Sequence, residues 1–240
     1  MRVGILNLPF DNNYGGNLQR YALARVLWEM GHDVKHINLR NSYCLPFYKK
    51  PYCYAKRLLM KLLGSKSSIF LEQERKREDE RMEINAQKFY ERYVSHTRAV
   101  YGVKEIGQVC RENKFQAVVV GSDQVWRNGM VKGVLGLNNY MLGFIHDEHI
   151  KKIAYAVSLG TEQRLGSAQV QRYSKFYNKF SAVSVRESQS VALFDEYGWT
   201  EPRAQHVLDP VFLLKKEDYV TLTEKETVEH AAKNRIFCYI

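Results

Sequence analysis

The chain has 240 residues, 45% hydrophobic and 26% charged, with a formal net charge of +10. That balance describes a globular protein with one substantial core or two small ones, and it excludes a disordered or fibrous chain. No apolar run approaches about 18 residues, which excludes a spanning helix. The opening "MRVGIL" runs straight into a folded pattern without a secretory leader's apolar segment and cleavage site, so a cytoplasmic protein is expected.

In chain order, the first apolar run, Arg2 to Leu8, reads as a buried strand, and "NNYGGNLQRYALARVL" follows it. Leu18, Tyr21, Ala22, Val26, Leu27 and Met30 make one face of a helix, and Gly31 sits where a positive φ ends it. Gly15 and Gly16 remove Cβ atoms at the turn, so backbone N–H groups and the positive end of the helix could cradle a phosphate or carboxylate. A turn that merely caps the helix, with Asn17 as N-cap, is the plainer reading. The motif is neither GxGxxG nor a P-loop, which argues against a dinucleotide or ATP site.

A second strand is expected over Asp33 to Leu39, followed by an insertion at about 43–95. Between Asn41 and Leu71 there are six Lys/Arg and no Asp or Glu, and "YCYAKRLLMKLL" puts Tyr52, Ala55, Leu58, Leu59, Leu62 and Leu63 at helical spacing. Such a basic amphipathic helix either lies on an anionic bilayer, giving peripheral membrane contact through 52–63, or packs its leucines on the protein's own core. The charged stretch after it pairs Glu72 with Lys76 and Lys76 with Glu80, as an exposed helix does.

Further strands are expected over Gln116 to Val120, Lys152 to Ser158, Ala182 to Val185 and Ala204 to Leu208. Helices are expected over Val103 to Glu112, Gln169 to Lys179 and Gln189 to Tyr197, the last ending at Gly198. The alternation predicts an α/β fold with a Rossmann-like, doubly wound parallel sheet. The final "EHAAKNRIFCYI" reads as a helix end, a turn and the first strand of a further domain. The expected division is therefore 1–232, with 233–240 beginning a truncated second domain.

Polar loops follow the strands: "NNYGGN", "GSDQVW", "SLGTEQ", "RESQS" and "DP". Carboxyl ends of a parallel sheet share one rim, where ligands bind. In "VVVGSDQVW", Gly121 ends a strand, Ser122, Asp123 and Gln124 supply hydrogen-bonding groups, and Trp126 offers a flat face for stacking on a sugar or base. The alternative for Asp123 is a helix cap. Arg186 and Glu187 could bind and position an anion, or form a structural ion pair, and Asp209 precedes a proline that forces an extended or turn geometry.

Other chemistry is weakly signalled. His146 and His149 in "HDEH" lack a third ligand at a defined spacing, so no metal is expected. Cysteines at 44, 53, 110 and 238 form no CxxC pair and read as free thiols. The positive charge attracts phosphate of any kind, but no nucleic-acid-binding pattern accompanies it, and no nucleic acid is expected as a partner.

Taken together, "NNYGGNLQRYAL", "VVVGSDQVW", "KKIAYAVSLG", "VSVRES" and "VLDPVFLL" resemble the polysaccharide pyruvyl transferases in order and approximate spacing, from residue 4 to about 214. The resemblance implies the first half of an arrangement similar to GT-B glycosyltransferases, two Rossmann-like domains facing a cleft. It implies transfer of a pyruvyl group from phosphoenolpyruvate, as donor substrate, to a sugar of a surface polysaccharide or its lipid-linked precursor, forming a ketal without metal or nicotinamide. By matching position, Asn13, Tyr14, Gly15, Gly16, Gln19, Gly121, Ser122, Asp123, Gln124, Trp126, Ser158, Gly160 and Asp209 would contact substrate. The first two motifs would lie on the acceptor side, and Asp123, Arg186 and Glu187 are the catalytic candidates. Family members are longer, and their second domain is expected to hold the donor. A truncated remnant, a sugar- or nucleotide-binding module without chemistry, and a glycosyltransferase using a nucleotide sugar are the alternative readings.

Overall fold

A computed structural model describes residues 1–223 of the protein apart from 44, 46, 67 and 161–163. The expected helix end and strand at 229–240, the 232/233 boundary, Cys44 and Cys238 lie outside the described residues. Six parallel strands form one sheet among the described residues: β1 (Arg2–Leu6), β2 (Asp33–His36), β3 (Ala117–Gly121), β4 (Lys151–Val157), β5 (Ala182–Val185) and β6 (Gln205–His206), in the order β2-β1-β3-β4-β5-β6. This is the doubly wound, Rossmann-like α/β sheet that the alternating pattern predicts.

Alternate residues of β1 and β3 feed two cores. Val3, Ile5, Ala117 and Val119 pack with Leu23 of α1 (Tyr14–Glu29). Leu6, Val118 and Val120 join the larger core with Ile106 and Val109 of α5 (Val103–Glu112), Tyr173 and Tyr177 of α8 (Ser167–Tyr177) and Phe194 of α9 (Gln189–Glu196). Two layers of helices thus hide both faces of the sheet, which is why its strands read as runs of Val and Ala rather than as alternating patterns. Gly31 and Gly198 adopt φ of +86° and +71° just beyond α1 and α9, as their placement predicts.

Several expected strand ends run too long. β1 stops at Leu6, β2 at His36 and β6 at His206, because the chain leaves the ladder to build the loops of the rim. On α1, Met30 is exposed and Leu18 only half-buried, while Arg20 is buried on the inward face.

The insertion leaves the sheet after Arg40 and carries α2 (Lys50–Leu62), α3 (Leu71–Met82) and α4 (Ile84–Tyr93). It returns beside its departure point: the N–H of His36 bonds to Ser95 O at 2.8 Å, that of Thr97 to His36 O at 2.9 Å, and that of Val100 to Asn38 O at 2.9 Å. α4 packs Ala86 and Tyr90, together with Val94 just beyond its end, on Phe10 and on Tyr21 of α1. Two four-residue helices, α6 (Asn128–Val131) and α7 (Leu137–Tyr140), precede β4, and α10 (Lys216–Thr223) follows β6. No helix among the described residues is long and apolar enough to cross a membrane.

The strand order reverses between β1 and β3, and a buried polar chain crosses that point. Asn7, just past β1, donates its amide N–H to the carbonyl of Gly121 at the end of β3. Its Oδ1 faces His36 Nε2 at 3.1 Å, and His36 Nδ1 faces the Tyr90 hydroxyl at 2.6 Å. With the Asn7 amide turned this way, Nε2 donates and Nδ1 accepts, so the ring fits as a neutral imidazole. Burial, reinforced by Arg20, His96 and Arg40, holds His36 well below its ordinary 6.5.

The unfolded chain protonates this histidine near 6.5 and the folded chain only at much lower pH, so its contribution is complete above pH 6.5 and declines as the pH falls below it. The melting temperature should decline between pH 6.5 and about pH 5, and His36→Gln should flatten that part of the curve. A wild-type curve flat through this window would contradict a buried neutral imidazole.

Candidate functional site

Open α/β sheets bind ligands outside the carboxyl ends of the strands where the strand order reverses, here between the loops after β1 and β3. The first loop is shaped by α1. Asn13, not Asn17, caps the helix, its Oδ1 accepting the Gly16 N–H at 3.0 Å. An uncharged side chain thus takes one of the amides that an anion cradle would offer. Gly15 approaches the same cap, where a Cβ would stand 3.3 Å from Asn13 Oδ1, while Tyr14 projects into solvent, 61% exposed.

Asn17 is buried and accepts at 2.8 Å from Arg20, whose guanidinium also donates to the carbonyls of Leu8 and Pro9 at 3.0 Å each. Burial pulls Arg20 below its ordinary value, against the opposing pull of Asp11, Tyr90 and Asp123. Bonded to two backbone carbonyls, Arg20 ties the strand-to-helix turn together.

The loop after β3 leaves the sheet through an unusual backbone. Gly121 has φ +146°, and a Cβ there would lie 2.1 Å from the carbonyl oxygen of Tyr155 on the neighbouring strand. Ser122 follows at φ +57°, fully buried, its hydroxyl without a partner among the described residues. Asp123 accepts the Gln124 N–H at 2.7 Å, so it caps a turn and not a helix, and Gln124 accepts from Arg127 at 2.9 Å. Burial raises the Asp123 carboxyl above its ordinary value, only partly offset by that N–H and by Arg20 and Arg186.

Trp126 departs from the sequence reading. It is 2% exposed, its indole N–H donates to Tyr140 O at 3.1 Å, and Tyr177, Phe180 and Phe194 surround its ring. A side chain so enclosed supports the loop from beneath and has no free face for a sugar.

The remaining motifs meet in a single line of hydrogen bonds. Gln19 of α1 donates to Asp209 Oδ2 at 2.5 Å, and Arg186 donates to the same oxygen at 3.0 Å and to Glu187 Oε1 at 3.3 Å. Ser158 donates to Glu187 Oε1 at 2.8 Å, while its own N–H bonds the carbonyl of Asp123 at 3.0 Å. The Gly160 N–H returns to Ser158 Oγ at 3.1 Å with φ +70°. Burial works against the charge of Arg186, but Asp209 and Glu187 outweigh it and hold the guanidinium above its ordinary value. Glu187 keeps its second oxygen, Oε2, buried and without a partner among the described residues. Asp209 also fixes the following turn by accepting the Val211 N–H at 3.1 Å. Residues from all five motifs are therefore joined, although up to 190 positions separate the bonded pair Gln19 and Asp209.

The rim is rich in acid: Asp11, Asp123, Glu187 and Asp209 face Arg20 and Arg186, and both cations are already engaged. Carboxylates in excess accept hydrogen bonds and protons, which suits a ligand bearing hydroxyls. Beside the rim, on the β2 side, a cleft of about 860 Å³ opens between the 38–43 segment and the α3 and α4 helices. Phe10, Arg40, Tyr43, Asp79, Glu83 and Gln87 are among its lining residues. Arg40 lies 4.1 Å from the centre of the Phe10 ring and donates to Asn38 at 2.7 Å and Gln87 at 2.6 Å.

Sequence reasoning did not single out this cleft, nor Arg20, Asn7 and His36. The available signal was Asn17 and Arg20 three apart, on the side of α1 that carries Tyr21. Among the described residues no three His, Cys, Asp or Glu side chains gather as a metal site.

The backbone at Gly121 gives a direct test of how the rim is held. Gly121→Ala should cost about 3 kcal/mol or more, since the new methyl meets backbone and not a movable side chain. The expected melting temperature is lower by roughly 6–12 °C, and a drop below about 2 °C would mean that the β3 exit does not depend on this close approach.

Residues 13–240 match the family model described as polysaccharide pyruvyl transferase, while no curated protein and no solved structure matches the chain. With a parallel sheet of the anticipated kind and the five motifs drawn to one rim, the chain belongs to the polysaccharide pyruvyl transferase family.

Proposed function

We propose that the protein transfers a pyruvyl group from phosphoenolpyruvate to a sugar of a surface polysaccharide or its lipid-linked precursor, and that the described rim handles the acceptor. The observation that carries this reading is the line from Gln19 through Asp209, Arg186 and Glu187 to Ser158 and Asp123. It sets a carboxyl raised above its ordinary value by burial and a carboxylate oxygen without a partner among the described residues along one rim.

In the reaction two sugar hydroxyls add to the central carbon of phosphoenolpyruvate, and the bond from that carbon to the phosphate oxygen breaks. One hydroxyl proton balances the proton gained by the methylene carbon, which becomes a methyl, and the other leaves on phosphate. Such chemistry needs an acid for the enol carbon and a base for the hydroxyls. Asp123, with its carboxyl raised by burial, suits the acid, and Glu187, with Oε2 unpartnered among the described residues, suits the acceptance of a hydroxyl proton. Arg186, aimed by two carboxylates, is the rim cation best held to meet the charge developing on the donor. The neighbouring cleft, with its aromatic, carboxylate and amide groups, suits the sugars that extend beyond the reacting one.

Calorimetry with phosphoenolpyruvate, and phosphate release in the presence of a saccharide acceptor, test the reading. Asp123→Asn should lower turnover by about 100-fold or more while acceptor binding persists. Binding of a nucleoside diphosphate in place of phosphoenolpyruvate would favour the nucleotide-sugar enzyme. Acceptor binding with no turnover at saturating donor would favour the non-catalytic module.

A further inference from the structure

The helix α2 is mounted with its apolar side outward. Its half-buried residues are Cys53, Tyr54 and Arg57. Tyr54 meets Phe70 edge to face at 5.4 Å, and Arg57 makes two bonds of 2.6 Å to Glu72 of α3. The opposite side carries Tyr52, Leu59, Leu62 and Leu63, which are 69%, 58%, 77% and 75% exposed, and Phe47 and Tyr48 in the turn before it are exposed too. Among the described residues these leucines therefore do not pack on the protein's own core, the alternative that the sequence left open for this helix.

Charge decides what covers the stripe. Lys49, Lys50, Lys56, Lys61 and Lys66 are all exposed around it, and residues 41–71 contain no acid. Glu72, the first acid after that window, is engaged by Arg57. A second copy docking leucine to leucine would bring two such lysine sets together with no carboxylate from this segment to oppose them. An anionic bilayer supplies the opposite charge over its whole surface, takes leucines into its acyl boundary and accommodates tyrosines at headgroup depth. Lysine stems lie along the apolar surface while their ammonium groups reach outward to phosphate.

We infer that α2 and the turn before it dock the protein on an anionic membrane surface, lying in the plane of the headgroups with Tyr52, Leu59, Leu62 and Leu63 inserted. The inference goes beyond the proposed reaction and does not depend on it, because neither the rim nor the cleft beside it includes these residues.

Sedimentation with vesicles of phosphatidylcholine, with or without phosphatidylglycerol, tests it on the full chain. The wild type should partition onto the anionic vesicles, much less onto the neutral ones, and release as salt rises. Leu59→Ser with Leu62→Ser and Leu63→Ser should weaken partitioning at least tenfold, by the lost burial of apolar carbons. Replacing Lys50, Lys56 and Lys61 by Gln should weaken it by about fivefold per lysine. All six side chains are exposed, so the melting temperature of both variants should match the wild type and separate lost docking from misfolding. No partitioning of the wild type, equal partitioning onto neutral vesicles, or unchanged partitioning of the leucine variant would overturn the inference. A wild-type dimer that the leucine substitutions dissociate, without vesicle binding, would instead make this face a contact between copies.

Discussion

The close approach of β3 to β4 at Gly121 governs where the candidate site lies. No residue with a Cβ fits beside the Tyr155 carbonyl, and the same glycine's own carbonyl is gripped by Asn7. From this point the chain must turn out of the sheet, which hands Ser122 and Asp123 to the rim at the place where the strand order reverses. Asn7 is held in turn by His36, and His36 by Tyr90 of the insertion. Four elements far apart in sequence thus fix one strand exit, in a polar chain that would destabilise the fold if any member lost its partner.

The site works against the usual economy of a protein interior. Asp123 is largely desolvated, Ser122 and Glu187 keep polar atoms without partners among the described residues, and Arg186 is pinned between two carboxylates. Buried polar atoms without partners are costly, and they persist where another molecule completes them. The larger core beneath, with Trp126, Tyr177, Phe194 and Trp199 in mutual contact, provides the rigid floor on which such unfilled groups can be held.

The sheet was legible because strands covered on both faces must be uninterrupted apolar runs, as "AVVV" of β3 is, and the polar residues after each run mark the rim. Spacing along the chain could not tell which of those residues turn outward. Trp126 reads as a platform next to Gln124, yet the turn sends it into the core. Nothing in the spacing of α1 marks Arg20, yet three hydrogen bonds draw it inside. A lone histidine such as His36 gives no sign of its partners, since Asn7 and Tyr90 lie 29 and 54 positions away. Amphipathicity likewise reveals that α2 has a leucine stripe but not the direction it faces, which depends on the pairing of Arg57 with Glu72.

The parallel return of the insertion has a consequence of its own. Because residues 95–100 come back hydrogen-bonded to 36–40, the excursion begins and ends at one place on the sheet edge. The entropy of closing such an excursion grows only with the logarithm of its length. The stretch between Arg40 and α4 is therefore a region where residues can be gained, lost or exchanged with little effect on the ladder, provided that Tyr90 still reaches His36. The same returning segment lies along β2 past the end of its ladder, covering backbone groups that would otherwise be open to pairing with another chain.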